Sequence, residues 1–229
     1  MGKRLYWLFA CLGLMTVSAS FLMGFKHSPT APAGNYVFNF LLYAVFIVVH
    51  IAMTVPAFKR GVFGSPAGTP AERRIYILIS VVTWVLVYAL HKPVPGFAFV
   101  PPFWLQYVGV CAFLLGVYAF FEFATFESLD SLLGVPGAGM SHTVGAETPL
   151  MTEGSYAQVR HPMYRAAVCF ALASLLIHPH AGQLLFVGMV GASFLGFVPF
   201  EERQLLKARG EEYQAYRNRT PWRVFRGVW

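Results

Sequence analysis

The sequence predicts an all-α protein: a polytopic membrane bundle of about six transmembrane helices, followed by a C-terminal interfacial amphipathic helix. Three observations carry this. Of 229 residues, 57% are apolar and only 12% charged. The mean hydropathy of +0.57 leaves too little polar surface to cover a water-soluble globule of this size. The apolar residues are also gathered into six blocks, 5–25, 36–55, 75–90, 104–124, 163–177 and 184–200. A cytosolic enzyme, a disordered chain and a collagen-like fibre are excluded. The net charge of +7 does not point to nucleic acid, because the bases lie between apolar blocks and form no run with interleaved aromatics.

Each block is judged by length. At about 1.5 Å per residue, roughly 20 residues cross about 30 Å of hydrocarbon. The first block carries Lys3 and Arg4 before it and Ser18-Ala19-Ser20 within it, which resembles a cleavable signal, but its apolar run continues through Phe21-Leu22-Met23 and favours a retained span. The second and fourth are long enough to span. The third and fifth are short and are expected to borrow flanking residues such as Arg74, His91 and Tyr164, or to penetrate only partly. Blocks five and six are joined only by 178–183, which requires an antiparallel hairpin. Gly188, Ala192 and Gly196 on block six, and Ala167, Ala171 and Ser174 on block five, form small faces expected to let these two helices approach closely. Pro199 is expected to kink block six near its charged end. In the tail, Leu205, Leu206, Tyr213 and Tyr216 share one helical face, the pattern of an interfacial helix.

Four segments follow: membrane helices over 1–124, a Gly-rich loop over 125–162, the hairpin over 163–200 and a tail over 201–229. A loop of that length usually has a function or is disordered. The basic residues set the orientation. Lys3, Arg4, Lys59, Arg60, Arg73, Arg74, Arg160 and the bases after block six lie on alternate connections, and the other connections hold only Lys26 and Lys92. This places both termini in the cytoplasm, in a membrane expected to be the bacterial inner membrane. Cys11, Cys111 and Cys169 fall inside apolar blocks and imply neither a disulfide nor a zinc framework. His178 and His180 read as solvated turn residues, not metal ligands.

Ionisable groups at the edges of membrane helices are costly and therefore functional candidates. With this topology His50, Glu122, Arg160, His161, Glu201 and Glu202 gather near one boundary, so four helices offer acids, bases and hydrogen-bond donors at one depth. Pro162 suits a first helical position, and the amides of the turn after it favour an anionic group. Anchoring at the interface accounts for each of these residues singly, but less well for the whole set.

Arg160-His161-Pro162-Met163-Tyr164, paired with Glu201-Glu202-Arg203-Gln204-Leu205 and then Gly210-Glu211-Glu212-Tyr213 and Tyr216, resembles the isoprenylcysteine carboxyl methyltransferase and phospholipid methyltransferase superfamily. His50-Ile51-Ala52-Met53, Pro56-Ala57-Phe58-Lys59 and Glu72-Arg73-Arg74-Ile75-Tyr76 are similar to the branch that holds the methanethiol S-methyltransferases and the NnrU proteins. The resemblance implies a membrane enzyme that uses S-adenosylmethionine, bound at the cytoplasmic face, with a small-molecule or lipid acceptor reached from water or bilayer. His161, Pro162, Tyr164, Glu201, Glu202 and Tyr213 are then the expected cofactor residues, and Arg160, His50 and Glu202 the expected catalytic ones. Arg160 is expected to orient an anionic or thiolate acceptor and His50 to act as base. The chain departs from the family's pattern at Ala166, where members usually have Gly, and Arg165 beside it is bulky. The acceptor itself, whether thiol, carboxylate or lipid amine, stays open. The rival from another class is a non-catalytic NnrU-like protein that binds haem through His50 and His161 or assists assembly. A transporter is disfavoured, because the polar residues do not continue through the midplane.

Overall fold

The computed structural model of the chain describes residues 3–63, 70–126, 133 and 150–229. Among these residues the secondary structure is helical, with two isolated β-bridges, His27 to Val94 and Ala98 to His180. The helices are α1 (Lys3–Met23), α2 (Gly34–Ala52), α3 (Pro56–Phe63), α4 (Pro70–Leu90), α5 (Phe103–Phe126), α6 (Ser155–Gln158), α7 (Pro162–Ile177), α8 (Ala181–Arg209) and α9 (Glu211–Arg219). Five of them, α1, α2, α4, α5 and α8, are long and apolar enough to cross a membrane, so the chain is an integral membrane protein.

The two short blocks resolve differently. The third gains a charged first turn: Pro70 opens α4, Glu72 sits where a helix N-terminus favours an acid, and Lys59 of α3 bonds Glu72 at 2.7 Å. The resulting 21 residues reach across the hydrocarbon. The fifth stays short, at 16 residues. It does not have to meet lipid on all sides, because α7 packs between α5, α8 and α1 and buries Tyr164, Ala166, Cys169, Ala171, Ala173 and Ser174. Around it lies an aromatic core in which Phe21, Phe25, Tyr43, Trp84 and Phe186 pack together, and Trp84 Nε1 donates to Ser20 Oγ at 2.9 Å. Phe21 stacks on Trp84, which makes α1 part of the bundle.

Three expectations need correction. The close helix approach is not through the glycines of block six: a Cβ built on Gly188 or Gly196 meets nothing within 4 Å. The glycines that permit close approach are Gly109 and Gly116 on α5, where an added Cβ would lie 3.3 Å from the carbonyls of Ala173 and Ala166. Periodicity identifies a small face but not the helix that occupies it. The tail is likewise not one amphipathic helix. α8 runs through Pro199 as far as Arg209, Gly210 (φ 52°) breaks it, and Tyr213 and Tyr216 of α9 are buried against protein, at 1% and 3% exposure. Leu205 and Leu206 thus belong to one helix and the tyrosines to another. Finally, His180 is a buried helix cap and not a solvated turn residue. Its Nδ1 accepts from Gln183 N at 3.2 Å, and its Nε2 lies 3.0 Å from the carbonyl of Phe25. The expected long loop loses its first two residues to α5, and 127–132 and 134–149 lie outside the described residues.

Candidate active site

The alternating helices bring the end of α2, the start of α4, the end of α5, the start of α7 and the last turns of α8 to one end of the bundle. At about 1.5 Å per residue, the 20 residues from Ala181 to Phe200 already cross the hydrocarbon, so Glu201 and Glu202 emerge at its edge.

Glu202 is the organiser. Arg160 donates to its Oε1 through Nε and NH2, both at 2.7 Å, and Arg223 donates from Nε to its Oε2 at 3.2 Å. Arg160 also donates from NH1 to the Thr220 carbonyl at 2.7 Å. The backbone completes the clasp, since Arg160 N donates to Trp222 O at 2.9 Å and His161 N to Arg223 O at 2.8 Å. Arg160 is 7% exposed, and these bonds hold its guanidinium against Glu202 and the Thr220 carbonyl.

Glu201 is placed differently. It accepts from the Tyr164 hydroxyl at 2.7 Å and lies 3.4 Å from His161 Nδ1, and its side chain keeps 28% of its exposure against 6% for Glu202. The His161 and Tyr164 rings stack at 5.3 Å with 12° between planes. Burial works against charging His161, but the attraction of Glu201 and Glu202 outweighs it and raises its pKa above the ordinary 6.5. Burial, reinforced by the charge of Glu202, keeps the Tyr213 phenol protonated. Pro162 is the first residue of α7, as expected, but the amides of Tyr164 and Arg165 are both directed to His161 O, which leaves less of that turn for an anion. Arg165 turns away to Glu122 on α5 at 2.6 Å, and Ala166 is buried where α7 meets Gly116.

His50 stands beside this group on α2. Its Nδ1 lies 3.1 Å from Ser80 Oγ and its Nε2 2.5 Å from the Tyr76 hydroxyl, both on α4. Tyr76 is within electrostatic reach of Glu201 and Tyr164 and so connects His50 to the cluster. Sequence reasoning missed Tyr76 and Ser80 as site residues, and also Arg223 and Ser155. Arg223 looked like one more base in a basic tail, and only the backbone pairing with 160–161 distinguishes it.

The side chains fit a polar cofactor with a cationic centre. Among the described residues, the Tyr213 hydroxyl, the Ser155 hydroxyl and His161 Nε2 are buried without a hydrogen-bond partner, and each unmade bond in such a place is costly. Glu201, Tyr164 and Tyr213 add a carboxylate and two aromatic faces suited to a positive group.

A helical membrane bundle whose polar residues converge at one end, around an Arg-His-Pro segment and a Glu-Glu pair, falls in the superfamily of membrane methyltransferases that includes the isoprenylcysteine carboxyl methyltransferases. The chain belongs to the NnrU family, whose model, described as NnrU protein, matches residues 39–228. It is 32% identical over 210 residues to methanethiol S-methyltransferase 2 of Bradyrhizobium diazoefficiens, covering 86% of this chain and 76% of that protein. It is 29% identical to the methanethiol S-methyltransferase of Mycobacterium tuberculosis, over 86% of this chain and 82% of the relative. A shorter match, 32% over 37% of this chain and 38% of the relative, is to the protein-S-isoprenylcysteine O-methyltransferase of Schizosaccharomyces pombe. No solved structure matches.

Proposed function

We propose that this protein transfers a methyl group from S-adenosylmethionine to a small thiol at the cytoplasmic end of the bundle, in the bacterial inner membrane. Methanethiol, the acceptor in the names of the relatives, is the leading candidate. The observation that supports this most is the division of labour between the glutamates: Glu202 is tied to Arg160 and Arg223, while Glu201 remains partly open beside Tyr164 and His161.

When bound, the cofactor supplies an electrophilic methyl group on a sulfonium, and transfer needs mainly alignment of donor and acceptor. The residues supply that alignment. Glu201 accepts from the cofactor's ammonium or ribose. Tyr164 and Tyr213 present ring faces to its positive charge, a contact worth about 0.5–2 kcal/mol. His161 and the Tyr213 hydroxyl offer the unused polar atoms. Pro162 fixes the direction of the first turn of α7, and with it Tyr164. Arg160 and Arg223 hold Glu202, and through the 160–161 and 222–223 backbone they set the His161 ring in place. His50 is the base that finally holds the proton of the thiol, since a small alkanethiol is almost wholly protonated at neutral pH.

Calorimetry with S-adenosylmethionine tests the reading. The protein is expected to bind it, and the double variant Glu201→Gln, Glu202→Gln to lose that binding; equal affinity in both would overturn the assignment. Nothing in the geometry favours the haem-binding alternative, since both ring nitrogens of His50 are bonded to the chain's own Ser80 and Tyr76 hydroxyls.

A further inference from the structure

The two nitrogens of His50 are both spoken for, Nδ1 by Ser80 and Nε2 by Tyr76, so the imidazole cannot meet an acceptor without giving up a bond already made. The Tyr76 phenol bonds His50 Nε2 and is also within electrostatic reach of Glu201 and Tyr164. We propose that Tyr76 is the group that touches the thiol acceptor, taking its proton and passing its own phenolic proton to His50 Nε2. This rests on the methyl-transfer reading above and gives it a proton path.

Four features converge on Tyr76. It lies on the second turn of α4, at the end of the bundle where the polar cluster sits. Its hydroxyl is at bonding distance from His50 Nε2, and Ser80, which faces His50 Nδ1, also bonds the phenol. The Arg73 guanidinium sits over its ring, 5.2 Å from the centroid, where positive charge favours any negative charge developing on the phenol oxygen. The His50 ring packs against it at 4.9 Å and against Phe46 at 5.5 Å, so the imidazole is held in one orientation.

The balance is as follows. The acceptor's S–H bond breaks and its proton goes to Tyr76 Oη; the Tyr76 O–H bond breaks and that proton goes to Nε2. His50 becomes an imidazolium whose Nδ1–H donates to Ser80 Oγ. The sulfur's freed electron pair forms the new bond to the methyl carbon as the carbon's bond to the donor sulfur breaks, its pair staying on the donor. The one proton released overall leaves later from His50 to water. In this arrangement Tyr76 is the catalytic residue, and His50 acts through it.

The test compares two thiols, ethanethiol, which is mostly protonated at neutral pH, and thiophenol, which is largely ionised. In reconstituted protein with S-adenosylmethionine, Tyr76→Phe is expected to slow methylation of ethanethiol by about 10²- to 10⁴-fold and that of thiophenol by only a few-fold, with donor binding by calorimetry unchanged. His50→Gln is expected to slow ethanethiol likewise, with the rate recovering as the pH approaches that thiol's pKa. Equal slowing of both thiols or an unchanged ethanethiol rate would each overturn the relay. Failure of the wild type to bind the donor at all overturns the methyl-transfer reading instead, so the two failures are told apart.

Discussion

Glu202, 5% exposed, bonds two guanidinium groups, whereas Glu201, its neighbour in the chain, accepts from the Tyr164 phenol, lies beside the His161 imidazole and keeps 28% of its side chain exposed. The same substitution should therefore have opposite signatures. Glu202→Gln leaves the buried Arg160 guanidinium, and the half-buried one of Arg223, without their counter-charge and is expected to cost about 3 kcal/mol, read as a large fall in Tm in detergent. Glu201→Gln is expected to change stability by less than about 1 kcal/mol and instead to weaken donor binding by at least about tenfold. Equal effects of the two on Tm would contradict this division. The gathering of Arg160, His161, Glu201 and Glu202 near one boundary was legible in the sequence from their places at helix ends, and Tyr164 joined them only through the family resemblance. The role of each was not. Arg160 reads as a free cation in the sequence, but its partner Thr220 is 60 residues away and Arg223 competes for the same carboxylate. Tyr76 is further from view, since only the packing of α2 on α4 places it against His50.

At the scale of the helices, block limits were readable to within a few residues wherever an apolar run ended in a charge, and least readable where charge continues a helix, as Glu72–Arg74 do for α4 and Glu201–Arg209 for α8. The choice of neighbour was not readable. Gly109 and Gly116 of α5 are spaced seven apart among aromatics, and their small size matters only because α7 lies against them. Gly116→Val is expected to destabilise the protein by about 1–3 kcal/mol. The extra carbons would press on Phe170 and the Ala166 carbonyl, two turns from the Glu122–Arg165 ion pair. Gly188→Ala on α8, facing open space, is expected to leave Tm unchanged or slightly raised. Thermal unfolding of the two variants side by side checks both, and a Gly188→Ala that destabilises as much as Gly116→Val would show the wrong helix pair was chosen.

Among the described residues, side-chain ion pairs gather at one end of the bundle and neutral hydrogen bonds at the other. At the far end Asn39 donates to Lys92 O at 2.8 Å and accepts from Lys92 N at 3.0 Å, His91 lies 2.7 Å from the Tyr43 hydroxyl, and Phe25 N donates to Gln183 Oε1 at 3.1 Å. Burial, and then the charge of His180, push His91 from 6.5 down to about 4. The unfolded chain binds a proton below about 6.5 that the folded one refuses until about 4, so this contribution to stability is complete above 6.5 and is lost as the pH falls between those values, by at most about 3 kcal/mol. Melting in detergent from pH 7 to pH 4 should show a fall that is shallower in His91→Gln; parallel curves would exclude His91 as the source. The backbone bonds from Arg160 and His161 to 222–223, and from Arg223 and Val224 to Trp229 O, carry a different consequence, one of timing. Residues 160–161 are made about 60 residues ahead of 222–223, with α7 and α8 between them, so both helices can be inserted and packed while the clasp around Glu202 is still half-built.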